Sequence, residues 1–284
     1  MKNDSFRLAR RIAHLGALLS WLAGCASAPL STSGSLASYD GLTPAEGVVT
    51  HSRMKVDKAA VLAAESVSIV PTSFSATSLK AELNEKQRHV IANAVDRSMC
   101  IGLSDRYYVV APGQPADLSV HATITDVTVT NPAAAGASKV ASIVPAFLAA
   151  GQPIIVPRIP LGMGSLSVEA EAKDSAGRQM AAFVWARGAD MLTSSPRMSE
   201  SGDAYDLAGE FGADFSKLLI TGNNPFDKSL SLPTMQRVKS SLGGEPKNAA
   251  CDAFGRTGVT AFLGGMVLGT PPEWTDDATP ETKE

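Results

Sequence analysis

The sequence feature that most constrains the fold is a pair of β-rich runs joined by a four-residue turn. Apolar and polar residues alternate over residues 166–173, and residues 178–187 form the second run. The intervening Asp-Ser-Ala-Gly is typical of a turn. Because successive residues of a strand point to opposite faces, the pattern predicts a β-hairpin with one apolar face toward a core. The residues expected on that face are Leu166, Val168, Ala170 and Ala172.

Three further segments predict the rest of the sheet. Residues 66–71 and 106–111 are short β-rich runs that end at a proline or just before a Pro-Gly pair. Residues 116–130 alternate, but their apolar phase changes after Asp126. One extra residue in the strand, a β-bulge, accounts for such a change.

Two longer segments have the apolar spacing of helices. The first has Thr77 or Ser78 as its candidate N-cap, and the second covers about residues 204–220. Because the strands cluster along the chain and the helices stand apart, this order predicts an α+β fold, in which two main helices pack on a small, mostly antiparallel sheet. Shorter helices are favoured at residues 139–150 and 235–242.

The composition limits the class of protein. The 284 residues are 44% hydrophobic, which suffices for a core and argues against a disordered chain. A net charge of −3 and a pI of about 5.9 argue against nucleic-acid binding, for which a basic surface is typical. We therefore expect a globular protein of one domain or two small ones, with no nucleic-acid partner.

The first 25 residues differ from the rest of the chain. A basic start precedes an apolar run over residues 12–23 that is too short to span a bilayer, as in secretory signal peptides. The sequence Leu-Ala-Gly-Cys at residues 22–25 resembles the lipobox of bacterial lipoproteins. That resemblance implies cleavage between Gly24 and Cys25, a diacylglycerol on the Cys25 sulfur, and an acyl chain such as palmitate on its new amino group.

The alternative to lipidation is an ordinary signal peptide cleaved near Ala26 or Ala28, with Cys25 incidental. Two or three acyl chains would anchor the protein stably. By analogy with bacterial sorting, Ala26 in place of an aspartate favours the periplasmic face of the outer membrane. The expected divisions of the chain are a signal peptide at 1–24, a lipidated tether at 25–35, an α+β domain at 36–222 and an irregular extension with an acidic tail at 223–284.

Cys100 and Cys251 are the other two cysteines. An oxidising periplasm permits a disulfide between them. Sequence does not show whether their Cα atoms lie close enough, and the alternative is two small buried hydrophobic residues.

Several segments together resemble the bacterial lipoprotein family known as domain of unknown function 3313. They are SGSLASYDGL, SVSIVP with the helix after it, ADLSVHATITDV, the hairpin from residue 166, and DAYDLAGEFGADFSKLL. The resemblance covers about Ser33 to Leu219, although Ser35 stands where the family usually has a larger apolar residue. It implies a location and a fold, but no chemistry. The order of elements is also similar to auxiliary lipoproteins of envelope transporters and outer-membrane assembly systems, which is a fold-level analogy.

Candidate chemical groups are sparse. His51, His89 and His121 have no metal-ligand spacing to one another or to cysteine, and no G-x-S-x-G sequence occurs. Glu169 and Glu171 share one strand face, where paired carboxylates can do acid–base work, but we interpret them as solvent-facing. We expect no metal and no cofactor. A row of acidic residues lies at helical spacing at Asp203, Asp206, Glu210 and Asp214.

Two apolar stretches are candidates for an interaction surface. Residues 140–163 are apolar and interrupted by prolines, and residues 259–268 are apolar and glycine-rich. Exposed apolar segments often contact a partner or a membrane, whereas the alternative is an ordinary core helix and sheet edge. The candidate contact residues are Ile143, Phe147, Ile155 and Phe262.

These patterns lead to one main functional hypothesis. We expect an outer-membrane-anchored periplasmic lipoprotein with a non-enzymatic binding or assembly role, whose partner is an unidentified envelope protein. One alternative is a periplasmic hydrolase that uses a serine with His121 or His51. Another is a module that binds a small ligand or lipid through the apolar stretch.

Overall fold

The computed structural model describes residues 28–148, 157–227, 234–258 and 263–276, in which strands mostly come in consecutive pairs separated by helices. The strands are β1 (Thr43–Pro44), β2 (Thr50–Val56), β3 (Ser66–Ile69), β4 (Ser73–Phe74), β5 (Tyr108–Val110), β6 (Leu118–Thr128), β7 (Ser165–Asp174) and β8 (Gln179–Gly188). The helices are α1 (Lys58–Ala63), α2 (Glu85–Leu103), α3 (Pro132–Leu148), α4 (Gly202–Thr221), α5 (Met235–Ser241) and α6 (Pro272–Thr275). Shorter helical turns lie at Ser78–Lys80, Ala249–Phe254 and Gly264–Leu268.

The described strands form one sheet in the order β1-β2-β8-β7-β6-β3-β5, with β4 beside β6. The long strands β2, β8, β7 and β6 are antiparallel, whereas β3 runs parallel to β6 and β5. Helices α2 and α4 pack together, and α4 contacts β7 and β8. The predicted α+β class, with a mostly antiparallel sheet and two main helices, is confirmed.

The hairpin is the centre of the sheet. Its turn contains Gly177 at φ +76°, a backbone conformation that glycine adopts without strain. The bulge predicted in β6 is present: Ile124 pairs with Val168 and Asp126 pairs with Ser167, so Thr125 is the extra residue. All four hairpin residues expected to face the core are fully buried.

Aromatic side chains join α4 to the hairpin. Phe211 and Phe215 lie one turn apart on α4 with ring centroids 6.0 Å apart. Phe183 of β8 stacks on both, and Trp185 meets Phe211 edge to face at 5.6 Å. Such aromatic contacts add to the free energy gained by burying the rings. This layer of rings fixes α4 on one face of the sheet.

The predicted start of α2 is wrong by several residues. Asn84 is the N-cap: its side chain accepts from the Gln87 N–H, and the Gln87 side chain accepts from the Asn84 N–H. Ser78 instead donates its hydroxyl to the Ile124 carbonyl and lies in a single helical turn. Because that bond ties Ser78 to β6, the long helix begins only after the chain has left the sheet.

Helix α3 begins earlier than its apolar run suggested. It starts at Pro132, a favoured first residue of a helix, and the preceding Asn131 side chain accepts from the Ala134 N–H. Within the described residues, no helix is both long and apolar enough to cross a membrane.

The segments after α4 pack against α2 and α4. Cys100 of α2 and Cys251 form a disulfide with Cα atoms 5.6 Å apart, and Phe254 is buried in the main core. Asp276 is buried and accepts from Arg97 and from the Tyr205 hydroxyl at 2.6 Å. Residues 234–258 and 263–276 are therefore part of the folded body, where the sequence had suggested an irregular extension; residues 277–284 lie outside the described part.

Candidate functional site

The outer face of the hairpin, opposite α4, buries two carboxylates. Glu169 and Glu171 are 0% and 1% exposed, so the interpretation of this pair as solvent-facing is wrong. They are covered by residues 28–42, which we call the N-terminal strap. The strap also covers Ala182 and Val184 of β8 with the side chain of Leu36. Both faces of the hairpin are thus buried, one by helices and the other by the strap.

Glu169 binds the strap through hydrogen bonds from three of its residues. Its Oε1 accepts from the Ser33 N–H at 3.1 Å, the Ser35 N–H at 3.0 Å and the Ser35 hydroxyl at 2.6 Å. Its Oε2 accepts from the Tyr39 hydroxyl at 2.7 Å. Burial alone would raise the pKa of Glu169, but the hydroxyl donors of Ser33, Ser35 and Tyr39 outweigh it and lower the pKa. The ionised carboxylate is therefore the form that holds the strap.

Glu171 extends this contact by one strand position. Its Oε2 accepts from the Ala37 N–H and from the Gln179 side chain, both at 2.8 Å. Lys173 forms an ion pair with Oε1 at 2.5 Å. Burial acts to raise the pKa of Glu171, and the Lys173 ammonium together with the Ala37 N–H lowers it overall. Both carboxylates are used by contacts within the chain.

The strap runs in the same direction as β7. The Ser167 hydroxyl donates to the Pro29 carbonyl at 2.5 Å, and the contacts to Glu169 and Glu171 follow further along both segments. Followed toward its N-terminus, the strap therefore leads to the Ser165 end of β7. Ala28 is already buried, so the predicted tether of residues 25–35 is docked on the sheet from residue 28 onward.

The predicted lipidation residues, Gly24 and Cys25, lie outside the described residues. Chain geometry nevertheless limits their position. Cys25 is three residues before Ala28, and three residues span at most about 10 Å when fully extended. A lipid on Cys25 would thus be attached three positions before the first residue of the docked strap.

A second surface, which we call the apolar end, lies beyond the Ser165 end of β7. It comprises residues 131–141, 157–164, 191–199 and 263–270. Backbone bonds connect these segments: Asn131 N–H to Gly162 at 2.8 Å, Arg158 N–H to Met191 at 2.9 Å, and Met198 N–H to Gly269 at 2.8 Å. The exposed large apolar side chains of this surface are Val140, Leu161, Met191, Leu192, Met198, Leu263, Val267 and Leu268.

Every charged residue of the apolar end is buried, within the part described. Lys139, Arg158 and Arg197 are 6%, 4% and 8% exposed. Lys139 donates to the Ser195 hydroxyl at 3.1 Å, Arg158 pairs with Asp203, and Arg197 pairs with Asp206 at 2.9 Å. The cations therefore point into the protein and leave an uncharged outer surface.

The sequence predicts four contact residues in the apolar stretches. The side chains of Ile143 and Phe147, like Ile155 and Phe262, lie outside the described part of the structure. Their neighbours Val140 and Leu161 are 63% and 64% exposed. The sequence interpretation missed Met191, Leu192 and Met198, because the polar loop around them gave no apolar run to recognise.

The acidic row of α4 is engaged by donors from neighbouring segments. Besides the two pairs with Arg158 and Arg197, Glu210 pairs with Arg187 at 3.3 Å and Asp214 accepts from the Trp185 indole at 3.0 Å. A cavity of about 230 Å³ lies beside this row. Among the described residues, no group of histidine, cysteine and acidic side chains could hold a metal ion.

The three histidines in the described part of the chain lie on separate elements: β2, α2 and β6. His51 contacts Glu46 at 2.8 Å on the surface, and His89 lies 3.3 Å from Asn93 on α2. His121 Nε2 lies 3.1 Å from the Ser119 hydroxyl on β6. Burial, with help from Lys173, lowers the pKa of His121. The Ser119–His121 contact resembles part of a hydrolytic site.

Comparison with known proteins gives a family and a distant structural likeness. A family model described as "Protein of unknown function (DUF3313)" matches residues 31–215, which confirms the resemblance drawn from the sequence segments. Two PelC dodecamer structures from Paraburkholderia phytofirmans are similar at 12% and 10% identity, each with a TM-score of 0.34. The similarity covers 58% and 61% of this chain and 95% and 97% of PelC. No curated protein matches the sequence.

Proposed function

Because the chain belongs to the DUF3313 family of proteins of unknown function, we propose its function from the docked strap and the sequence before it. The protein is an outer-membrane-anchored periplasmic lipoprotein with a non-enzymatic binding or assembly role in the cell envelope. Its anchor is the diacylglycerol and N-acyl chain on Cys25. Its partner is an envelope protein that remains to be identified.

The observation that carries this proposal is the position of the strap. A signal peptide cleaved before Cys25 leaves only two residues, Ala26 and Ser27, between the lipidated residue and the buried Ala28. The strap is then held by Glu169 and Glu171. The folded body therefore begins where the lipid anchor ends, as suits a protein that works at a membrane surface.

The use of the charged groups supports a binding role over catalysis. Glu169 and Glu171 hold the strap, and the acidic residues of α4 pair with arginines or with Trp185. A catalytic carboxylate needs access to a substrate, whereas Glu169, Glu171 and Asp203 are buried against other parts of the chain.

Lipidation is tested with Cys25→Ser in the full chain. The proposal expects the wild-type precursor to accumulate when globomycin blocks the lipoprotein signal peptidase, and expects palmitate label on the mature protein. Cys25→Ser should abolish both responses. Ser31→Ala is the matched control, since it leaves both the motif and the bonds to Glu169 intact. Globomycin-insensitive processing of the wild type would contradict the anchor.

Sorting is tested with Ala26→Asp, followed by separation of inner and outer membranes on a density gradient. Wild-type protein should be in the outer-membrane fraction, and the variant should shift to the inner membrane. Equal distributions of the two would contradict outer-membrane sorting while leaving lipidation in place.

The binding role is tested by photocrosslinking in intact cells from Tyr108 and Met235. Both side chains are exposed, and both lie away from the apolar end. A single recurrent protein adduct supports the role. A complete absence of adducts at these and other exposed positions would contradict a stable protein partner.

A second candidate is the periplasmic hydrolase, which the 3.1 Å contact between Ser119 and His121 favours. Ser119→Ala and His121→Ala should then each abolish the cellular phenotype of the wild-type gene without lowering the amount of protein. Full complementation by both variants removes this candidate.

A further inference from the structure

We infer that the apolar end is a membrane-contact surface, which rests on the lipid leaflet in which Cys25 is anchored. This inference rests on the proposed function, because it requires the lipid anchor. It adds the orientation of the protein: the apolar end faces the bilayer, and the opposite end of the sheet, near Tyr108, faces the periplasm.

The chemistry of the apolar end matches a lipid surface. Exposed valine, leucine and methionine side chains come from four separate segments of the chain and lie together at one end. Leu192, at 72% exposed, is among the most exposed of them. Burying such side chains in the boundary between headgroups and acyl chains removes apolar area from water. A contiguous apolar surface of this kind marks an interaction site.

The direction of the charges supports the same occupant. Lys139, Arg158 and Arg197 all belong to the apolar end, yet each is buried and its polar group contacts a partner within the chain: Ser195, Asp203 and Asp206 respectively. Among the described residues of the apolar end, contact with the bilayer would therefore take no unpaired charge out of water. Desolvation of a charge would otherwise oppose the contact.

The short stretch of chain between Cys25 and the strap favours lipid, and not a protein, as the partner of the apolar end. The strap runs along β7 toward the Ser165 end, where the apolar end lies, and the lipidated Cys25 follows within about 10 Å of Ala28. A protein domain seated between this surface and the membrane would need more space than that. The anchor therefore holds the apolar end against the leaflet.

The test uses full-length lipidated protein, purified in detergent and reconstituted into phosphatidylethanolamine–phosphatidylglycerol vesicles that contain lipids with brominated acyl chains. Leu192→Trp is made in a Trp274→Phe background, which removes the exposed tryptophan. The other tryptophan of the described chain, Trp185, is buried. Tyr108→Trp in the same background is the matched control at the opposite end. Bromine quenches tryptophan fluorescence only at short range.

We expect the tryptophan emission of Leu192→Trp to fall about twofold in brominated vesicles and to shift to shorter wavelength. The reason is that side chains at a membrane interface enter the boundary between headgroups and acyl chains. The Tyr108→Trp emission should not change. Equal quenching of the two variants, or none in either, would overturn the inference. A blue shift of Leu192→Trp in cells without quenching in vesicles would also overturn it, because a protein would then cover the surface.

Flotation of the same vesicles separates this inference from the proposed function. Protein that floats without quenching of Leu192→Trp retains its anchor and contradicts only the membrane contact. Wild-type protein that fails to float contradicts the anchor itself.

Discussion

The two faces of the β7–β8 hairpin are equally buried but by different means. One face meets α4 through Leu166, Val168, Phe183 and the other apolar residues of the core. The opposite face meets the N-terminal strap through hydrogen bonds to Glu169 and Glu171. The free energy gained by apolar burial does not depend on the direction of the contacts. A buried carboxylate, in contrast, is stable only when hydrogen-bond donors are positioned to bind it. The strap face is therefore the more specific and the more easily broken of the two.

The largest effect is expected on the helix side. Phe211→Ala should lower the free energy of unfolding by about 3–5 kcal/mol, because the ring is fully buried against Phe183, Phe215 and Trp185. Urea unfolding of the purified protein measures this loss. Met235→Ala, at an exposed position, is the control and should change stability little. If Phe211→Ala lowered the free energy of unfolding by less than the strap variants weaken docking, the helix side would not be the more strongly held face.

On the strap side, Glu169→Gln should weaken docking by about 1.5–3 kcal/mol, the value of hydrogen bonds to a charged group. The amide cannot accept all the donors of Ser33, Ser35 and Tyr39. Limited proteolysis should cut the variant within residues 28–42 while the sheet stays intact. The exposed Glu82→Gln is the control. Global unfolding without strap cleavage would show that the strap is not a separate unit.

The two faces should also respond oppositely to pH. The pKa of Glu169 is lowered in the docked state, so its contribution is present above the ordinary glutamate pKa and is lost as pH falls through the lowered value. On the helix side, burial raises the pKa of Asp214 to about 6, although the Trp185 indole opposes this. That contribution is present below the ordinary aspartate pKa and is lost as pH rises through about 6.

Asp214→Asn should therefore stabilise the protein at pH 7 by about 1–2 kcal/mol, because no charge is then buried at that position. The asparagine oxygen can still accept from the Trp185 indole. Thermal unfolding at pH 7 and at acid pH measures the difference, which should disappear below the ordinary aspartate pKa. A destabilised variant at pH 7 would mean that the carboxylate charge is favourable there.

The smallest effect is expected for Ser35→Ala. It removes one hydroxyl donor to Glu169, while the Ser35 N–H bond and the Tyr39 bond remain. Docking should weaken by about 0.5–1.5 kcal/mol, less than for Glu169→Gln, because the carboxylate keeps its charge and its other donors. The rate of proteolysis within the strap reports the change, with Ser31→Ala as control. A loss as large as that of Glu169→Gln would mean that the hydroxyl alone holds the strap.

The sequence predicted the apolar face of the hairpin because the alternation of Leu166, Val168, Ala170 and Ala172 follows directly from strand geometry. The same alternation shows that Glu169 and Glu171 share a face, but not what covers it. The covering serines lie more than 130 positions away in the chain. A serine-rich segment is typical of a flexible tether, and its role as a set of donors appears only with its acceptors in place.

Competition between nearby capping residues explains why the predicted start of α2 was wrong. Thr77 and Ser78 have the chemistry of an N-cap, but so does Asn84, and only Asn84 forms the reciprocal pair with Gln87. The bulge at Thr125 was predictable because it changes which residues are apolar. The apolar end was predictable only in part, since its exposed residues come from four segments brought together by tertiary contacts.

Hydrogen exchange of the strap in the full-length lipidated protein tests the central claim most directly. The amides of Ser33, Ser35 and Ala37 donate to the two carboxylates. We therefore expect them to exchange slowly in the wild type and quickly in Glu169→Gln. Fast exchange of these amides in the wild type, at the rate of an unstructured segment, would contradict a docked strap and with it the close attachment of the body to its anchor.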